Sequence, residues 1–140
     1  MYAALTDDMK VRLDGLQAVH SIRNYAYKPD EGMPPDMQEK YPEVLHPVVV
    51  THPITGRKAL YVSEGTTVRI DGMDETESRE TLDLLLEHAV RLEFIWTQDW
   101  QAGDIIVWDN RVVVHQQTPY DPAERRLLKR TTVMEAHPGV

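Results

Sequence analysis

The segment from Trp108 to Thr132 reads W-D-N-R-V-V-V-H-Q-Q-T-P-Y-D-P-A-E-R-R-L-L-K-R-T-T. An apolar run, Asp104 to Trp108, leads into the polar turn Asp109-Asn110-Arg111, and three valines then deliver His115. A Pro/Asp loop follows, and Arg126 and Arg130 stand on a second apolar run. Nowhere else does the chain pack a neutral metal-type ligand and fixed cations so closely. The local chemistry points to an anionic small molecule held beside a metal.

Alternation on an extended strand places Val112 and Val114 on one face, and Val113 and His115 on the other. An imidazole on a rigid strand is a suitable ligand for iron, which takes nitrogen and carboxylate donors. The plainer reading is a structural histidine at a strand end, and spacing alone leaves both open. Arg126 and Arg130 share parity, so on one strand both project into the same space, and Thr132 keeps that parity. Arg125 points the other way. A guanidinium suits carboxylate capture because its planar fork binds two oxygens and keeps its charge. The alternative for Arg126 is a surface ion pair with Glu124, which contributes little. Trp108, Asp109, Asn110 and Arg111 have the composition of a structural turn, whose polar side chains satisfy backbone groups between two strands. Trp96 and Trp100 read as core or rim aromatics. His46 and His52 sit at strand ends beside Pro47 and Pro53, and His20, His88 and His137 show no paired ligand spacing. A zinc site from His46, His52 and a carboxylate is the weaker metal alternative.

Working outward, Thr6 is placed to cap a short helix with Met9, Leu13 and Leu16 on one stripe and Gly15 near its end. Leu16 to Ile22 reads as a short strand carrying His20. The proline-rich stretch from Asn24 to Pro42 reads as a long loop, either a functional lid or a surface excursion. Val44 to Thr51 is a β-branched strand, joined by the turn Pro53–Arg57 to Lys58–Ser63 in a hairpin. Gly65 to Ile70 continues extended. Asp74 with Glu77 three residues on is a capping-box pattern. Leu82, Leu85, Leu86 and Ala89 then follow at i, i+3, i+4 and i+7, which predicts a helix over residues 75–90. Phe94–Trp100, Ile105–Trp108, Val112–Gln116 and Leu127–Val133 are four further candidate strands. Frequent strands and turns predict a mainly β sandwich or barrel with peripheral helices.

With 140 residues the chain is one domain by length. A net charge of −8 argues against a nucleic-acid surface and for a cytoplasmic protein. It has no cysteine, which excludes disulfides and thiolate metal sites. Its longest apolar runs are too short to span a bilayer as a helix, and no basic region followed by an apolar stretch marks a signal peptide. The partners implied are small molecules, with neither nucleic acid nor membrane.

The pattern W-x3-G-D-x3-W-D-N-R-x3-H, formed by Trp100, Gly103, Asp104, Trp108–Arg111 and His115, resembles the taurine dioxygenase (TauD/TfdA) family, which includes the dichlorophenoxyacetate dioxygenases. Arg126 and Arg130 lie eleven and fifteen residues past His115, as the family's arginines do. M-Y-A-A-L, L-D-G-L-Q-A-V-H-S and H-P-V-V-V-T-H-P-I-T-G-R-K-A-L-Y-V also read as family segments, so the resemblance covers nearly the whole chain. It implies a double-stranded β-helix (jelly roll) with Fe(II) as cofactor and 2-oxoglutarate as cosubstrate. The implied reaction hydroxylates a small organic acid and releases succinate and carbon dioxide. On this resemblance His115 is the distal iron ligand and Arg126 clamps the distal carboxylate of 2-oxoglutarate. Arg130 orients cosubstrate and an anionic, sulfonate- or carboxylate-bearing substrate; Thr132, by its parity, either lines the same pocket or is a plain strand threonine.

One departure is specific. The family's first two iron ligands come as H-x-D or H-x-E, and this sequence contains no such triplet. The chain therefore reads as the C-terminal part of such an enzyme, with an incomplete jelly roll, weak iron binding and little or no turnover of its own. Unpaired strand edges in an incomplete roll predict pairing with a second copy. The rival reading is a non-catalytic, truncated homologue that binds an organic anion or self-associates.

Overall fold

The computed structural model describes residues 1–23 and 32–133. Of the proline-rich stretch, Pro29 lies outside the described residues, as does His137. After a single 3-10 turn at Tyr2–Ala4 comes helix α1, Asp7–Leu13, whose first turn is capped by Thr6 Oγ1 accepting the Met9 N–H at 3.3 Å. Gly15 (φ +75°) turns the chain out of α1 in a conformation that costs a side-chain-bearing residue. Strand β1 is Gln17–His20, shorter than the span read from the sequence. The stretch read from the sequence as a long loop is in part helical. Residues Pro35–Lys40 form helix α2, with proline in the first turn where its missing N–H is not needed.

Val44–Thr51 is not one strand but two, β2 (Val44–Pro47) and β3 (Val49–Thr51), and they belong to different sheets. The break falls at Val48. Pro47 has no N–H to continue a ladder, and Val48 turns fully inward, its N–H on Leu16 O at 2.9 Å and its carbonyl accepting Tyr61 N–H at 2.8 Å. The hairpin read from the sequence forms: β3 pairs antiparallel with β4, Lys58–Leu60. Gly56 at φ +67° makes its turn. The other sheet has the order β2-β1-β5, with β5 at Thr67–Ile70. Between β1 and β5 the register slips, from Val19 opposite Arg69 to His20 opposite Thr67, leaving Val68 as an extra residue. Such bulges re-aim side chains locally.

Helix α3, Glu75–Ala89, runs as the apolar spacing predicts, with Asp74 Oδ1 accepting the Glu77 N–H at 2.9 Å. Its buried face is Ser78, Thr81, Leu82 and Leu85, with Leu86 and Ala89 half-buried. The core joins this face to Leu13 of α1, Ala18 of β1, Leu60 of β4, Ile70 of β5, and Val48 and Val62. Helices thus close over two small antiparallel sheets. Ser78 Oγ accepts the Ile70 N–H at 2.8 Å, tying α3 to the outer edge of β5.

The four strands expected beyond α3 are absent among the described residues. Leu92–Phe94 is a 3-10 turn, and residues 95–133 carry no strand ladder. A strand needs a neighbouring edge to take its N–H and C=O groups and a face to bury. Here neither is supplied: Ile105 and Val107 are about nine-tenths exposed, and Trp96 is 71% exposed, so it is no core aromatic. The Asp109–Val112 turn closes, with Val112 N–H on Asp109 O at 3.3 Å, but no ladder continues from its arms. No described helix is long and apolar enough to cross a membrane.

Candidate functional site

The Trp108–Arg111 turn is built around one carboxylate. Asp109 Oδ1 accepts the Arg111 backbone N–H at 3.0 Å and Arg111 Nε at 2.9 Å. Its Oδ2 takes Arg111 Nη2 at 2.7 Å and His52 Nε2 at 3.0 Å. Hydrogen bonds from Arg111, and then from His52, hold the Asp109 carboxyl well below the usual carboxylate range. His52 Nδ1 faces the backbone N–H groups of Ile54 and Thr55 at 3.3 and 3.1 Å. Facing two donors, that nitrogen is the acceptor, so the ring proton sits on Nε2 and is donated to Asp109. One histidine therefore stitches the β3–β4 hairpin to the turn preceding His115. Asp109 has the structural task its position suggested, and His52 is a partner that spacing could not reveal, 57 residues away.

Next to it, Trp108 Nε1–H donates to Asn110 Oδ1 at 2.7 Å, and its ring meets that of His115 with centroids 5.0 Å apart. The turn thereby fixes the tryptophan, and the tryptophan steadies the His115 ring. His115 is exposed, and among the described residues neither ring nitrogen has a hydrogen-bond partner. Arg126 does not pair with Glu124. Its Nη1 donates to Gln117 Oε1 at 2.8 Å and its guanidinium lies over the Tyr120 ring at 5.1 Å. Arg130 and Thr132 are exposed, and no hydrogen bond or ion pair holds Arg130 among the described residues. Because residues 127–133 are not a strand, the shared parity of Arg126, Arg130 and Thr132 is not realised as one face.

The histidines given least weight from the sequence form a second cluster. His20, His46 and Tyr61 meet ring to ring, with centroid separations of 5.4, 5.4 and 5.2 Å. His46 lies opposite Ala18, one pleat from His20 on the same face, so antiparallel pairing makes them diagonal neighbours. Alternation in both strands could have shown this had the register been known. His46 and His52 thus belong to separate clusters, which removes the zinc alternative. Among the described residues no three His, Asp, Glu or Cys side chains are grouped to hold a metal.

A sequence profile described as the taurine catabolism dioxygenase TauD, TfdA family matches residues 1–132. The chain belongs to this family. It is 36% identical over 135 residues to an α-ketoglutarate-dependent 2,4-dichlorophenoxyacetate dioxygenase of Cupriavidus pinatubonensis, covering 96% of this chain and 47% of that protein. To an α-ketoglutarate-dependent dioxygenase of Penicillium expansum it is 38% identical over 132 residues, covering 91% and 37%. Among solved structures, AAD-2 in complex with Mn(II) and N-oxalylglycine superposes with a TM-score of 0.63 at 30% identity, over 71% of this chain and 39% of that one. A taurine dioxygenase from Burkholderia xenovorans gives 0.59 at 35% identity, over 73% and 31%. The chain spans at most about half the length of these relatives. The Trp108–His115 segment lies within the matched residues. The described residues fit an iron centre only in part, since they offer His115 but no set of three ligands.

Proposed function

We propose that this TauD/TfdA chain contributes one iron ligand and the 2-oxoglutarate anchor to an Fe(II)- and 2-oxoglutarate-dependent dioxygenase site, its two sheets forming part of a jelly roll. The observation that carries this is the His115 imidazole. It is exposed and unengaged at both nitrogens, yet its ring is steadied by Trp108 on a turn locked by Asp109, Arg111 and His52. A ligand must be free to bind and costly to misplace, and second contacts that orient a ligand tune its affinity. Bound iron and 2-oxoglutarate would supply the oxidising chemistry, while this chain's residues bind and orient. Arg126 anchors a carboxylate of the cosubstrate, its guanidinium positioned by Gln117 at Nη1 and by the Tyr120 ring beneath it. Arg130, without a partner of its own among the described residues, is the cation for an anionic substrate, and Thr132 lines that side. The carboxylate in the name of the dichlorophenoxyacetate relative supports a small organic acid as substrate.

The lack of a three-ligand set favours a second reading for the chain by itself, that of an organic-anion-binding homologue without turnover. One experiment separates them. Fe(II) is added anaerobically to the 140-residue chain, paramagnetic broadening of histidine ring signals is recorded, and 2-oxoglutarate is then titrated in. Broadening centred on His115, with 2-oxoglutarate binding lost in Arg126→Ala, is the expected result, without succinate formed on admitting air. Broadening centred on other histidines, or 2-oxoglutarate binding indifferent to Arg126→Ala, refutes the proposal. Anion binding that survives without any His115 response establishes the second reading.

A further inference from the structure

The β3–β4 hairpin presents His52 from a fixed base. Its backbone N–H meets Arg57 O and its carbonyl accepts the Gly56 N–H, both at 2.9 Å. Its Nδ1 accepts the Ile54 and Thr55 N–H groups at 3.3 and 3.1 Å, so the imidazole hydrogen is on Nε2, 3.0 Å from Asp109 Oδ2. The side chain is 12% exposed, which shields this bond to a charged acceptor from water. Asp109 is otherwise engaged within its own turn, by the Arg111 backbone and guanidinium. Contacts between residues 109 and 111 close the turn but cannot place it on the fold. The His52 bond, made across 57 positions, does.

Placement matters here because residues 95–133 carry no strand ladder to hold them against the sheets. On the placed turn, Trp108 donates to Asn110 Oδ1 at 2.7 Å and sets its ring 5.0 Å from that of His115. Outer contacts that orient a ligand tune its metal affinity. We infer that His52 is a positioning residue for His115: through its Nε2–H on Asp109, the hairpin fixes the angle at which Trp108 holds the His115 imidazole. In taking His115 as an iron ligand, the inference rests on the function proposed above. It adds that the site extends to a hairpin more than fifty residues upstream, and that the His52 donor, more than the shape of the hairpin, is what the site uses.

Two substitutions separate the donor from the hairpin. His52→Asn sets a carbonyl oxygen in place of Nδ1, so it keeps the contacts with the Ile54 and Thr55 N–H groups and loses the reach to Asp109. His52→Gln carries an amide N–H at the reach of Nε2 and keeps the donor. In the metal-free 140-residue chain, the nuclear Overhauser contact between the Trp108 and His115 rings, and the ring-current shift of the His115 protons, should survive in His52→Gln and be lost in His52→Asn. With Fe(II) added anaerobically, the concentration that half-broadens the His115 signals should rise about tenfold in His52→Asn and far less in His52→Gln. A Trp108–His115 contact unchanged in His52→Asn overturns the inference, as does a glutamine variant no better than asparagine, since a hairpin-shaping role alone would favour asparagine. Should the variants not fold, wild-type imidazole ¹⁵N signals decide: an Nε2–H tautomer at His52, its proton protected from exchange, is expected, and an Nδ1–H tautomer overturns the inference. Absence of any iron response at His115 removes the ligand reading alone, because the ring contact is read without metal.

Discussion

Replacing Ser78 by alanine is expected to destabilise the chain by about 1–2 kcal/mol, through a single backbone group. Ile70 and Ser78 are both buried, at 0% and 3% exposure. In the β1–β5 ladder the neighbouring Asp71 N–H reaches Gln17 O at 2.8 Å, so the Ile70 N–H faces away from β1. It meets Ser78 Oγ at 2.8 Å, which closes the outer edge of β5 with the side of α3. Alanine leaves that N–H buried and unpaired, a loss of about 1–3 kcal/mol. The better helix propensity of alanine returns a few tenths of a kcal/mol at most. Urea unfolding measures the result: with slopes of about 1–3 kcal/mol/M, the midpoint falls by roughly 0.3–2 M at an unchanged slope. Native-state hydrogen exchange should show the Ile70 amide losing protection, while an exposed neighbour substitution, Glu80→Ala, leaves both readouts alone. A Ser78→Ala midpoint within roughly 0.2 M of the parent, with the Ile70 amide still protected, would refute the edge-closing role, because the orphaned group has no other partner to hide the loss.

Asp109 gives a pH dependence. Its folded-state carboxyl is held low, first by Arg111 and then by His52. Its contribution is therefore present above the ordinary aspartate value of about 3.9 and is lost as pH falls below it. Asp109→Asn should flatten that acid limb in thermal melts taken from about pH 5 to pH 3; an unchanged limb would assign it to other carboxylates. Asp74→Ala removes the acceptor for the Glu77 N–H at the start of α3, and calorimetry should show a loss of about 1 kcal/mol.

Helices α1 and α3 were legible because their causes are local, whereas α2, Pro35–Lys40, lies in a stretch that reads as a loop. Thr6 and Asp74 mark their starts, and the spacing of Leu82 and Leu85 names the buried side of α3. That Ser78 and Thr81 complete this face was not legible, since a polar residue turns inward only when a distant group, the Ile70 N–H or the Arg12 guanidinium, awaits it. The β3–β4 hairpin was legible from its turn. The division at Val48 was not, because it depends on what Leu16 and Tyr61 offer to that residue's backbone. Strand patterning after α3 predicted four strands. Alternation states which faces a segment has, but pairing depends on an edge supplied from elsewhere, and among the described residues residues 95–133 have none.

The same distinction divides the candidate site. The roles proposed for His115, Arg126 and Arg130 come from a spaced motif that lies within the residues matched to the family, 1–132. What holds His115 in place is only half sequential. Trp108 and Asn110 are neighbours in the chain, whereas His52 comes from the hairpin and reaches Asp109 across 57 positions. His20 is the extreme case. Its chemistry depends on a one-residue slip that sets it opposite Thr67, with the Thr66 and Thr67 hydroxyls at its Nδ1. Without Val68 as the extra residue, regular pairing would set residue 68 against His20, and those hydroxyls would not meet its ring. The setting of the His20 ring is thus a product of register, which no residue in isolation encodes. Motif residues carry the proposed site, whereas the settings of His20 and His52 come from strand register and from a contact across the fold.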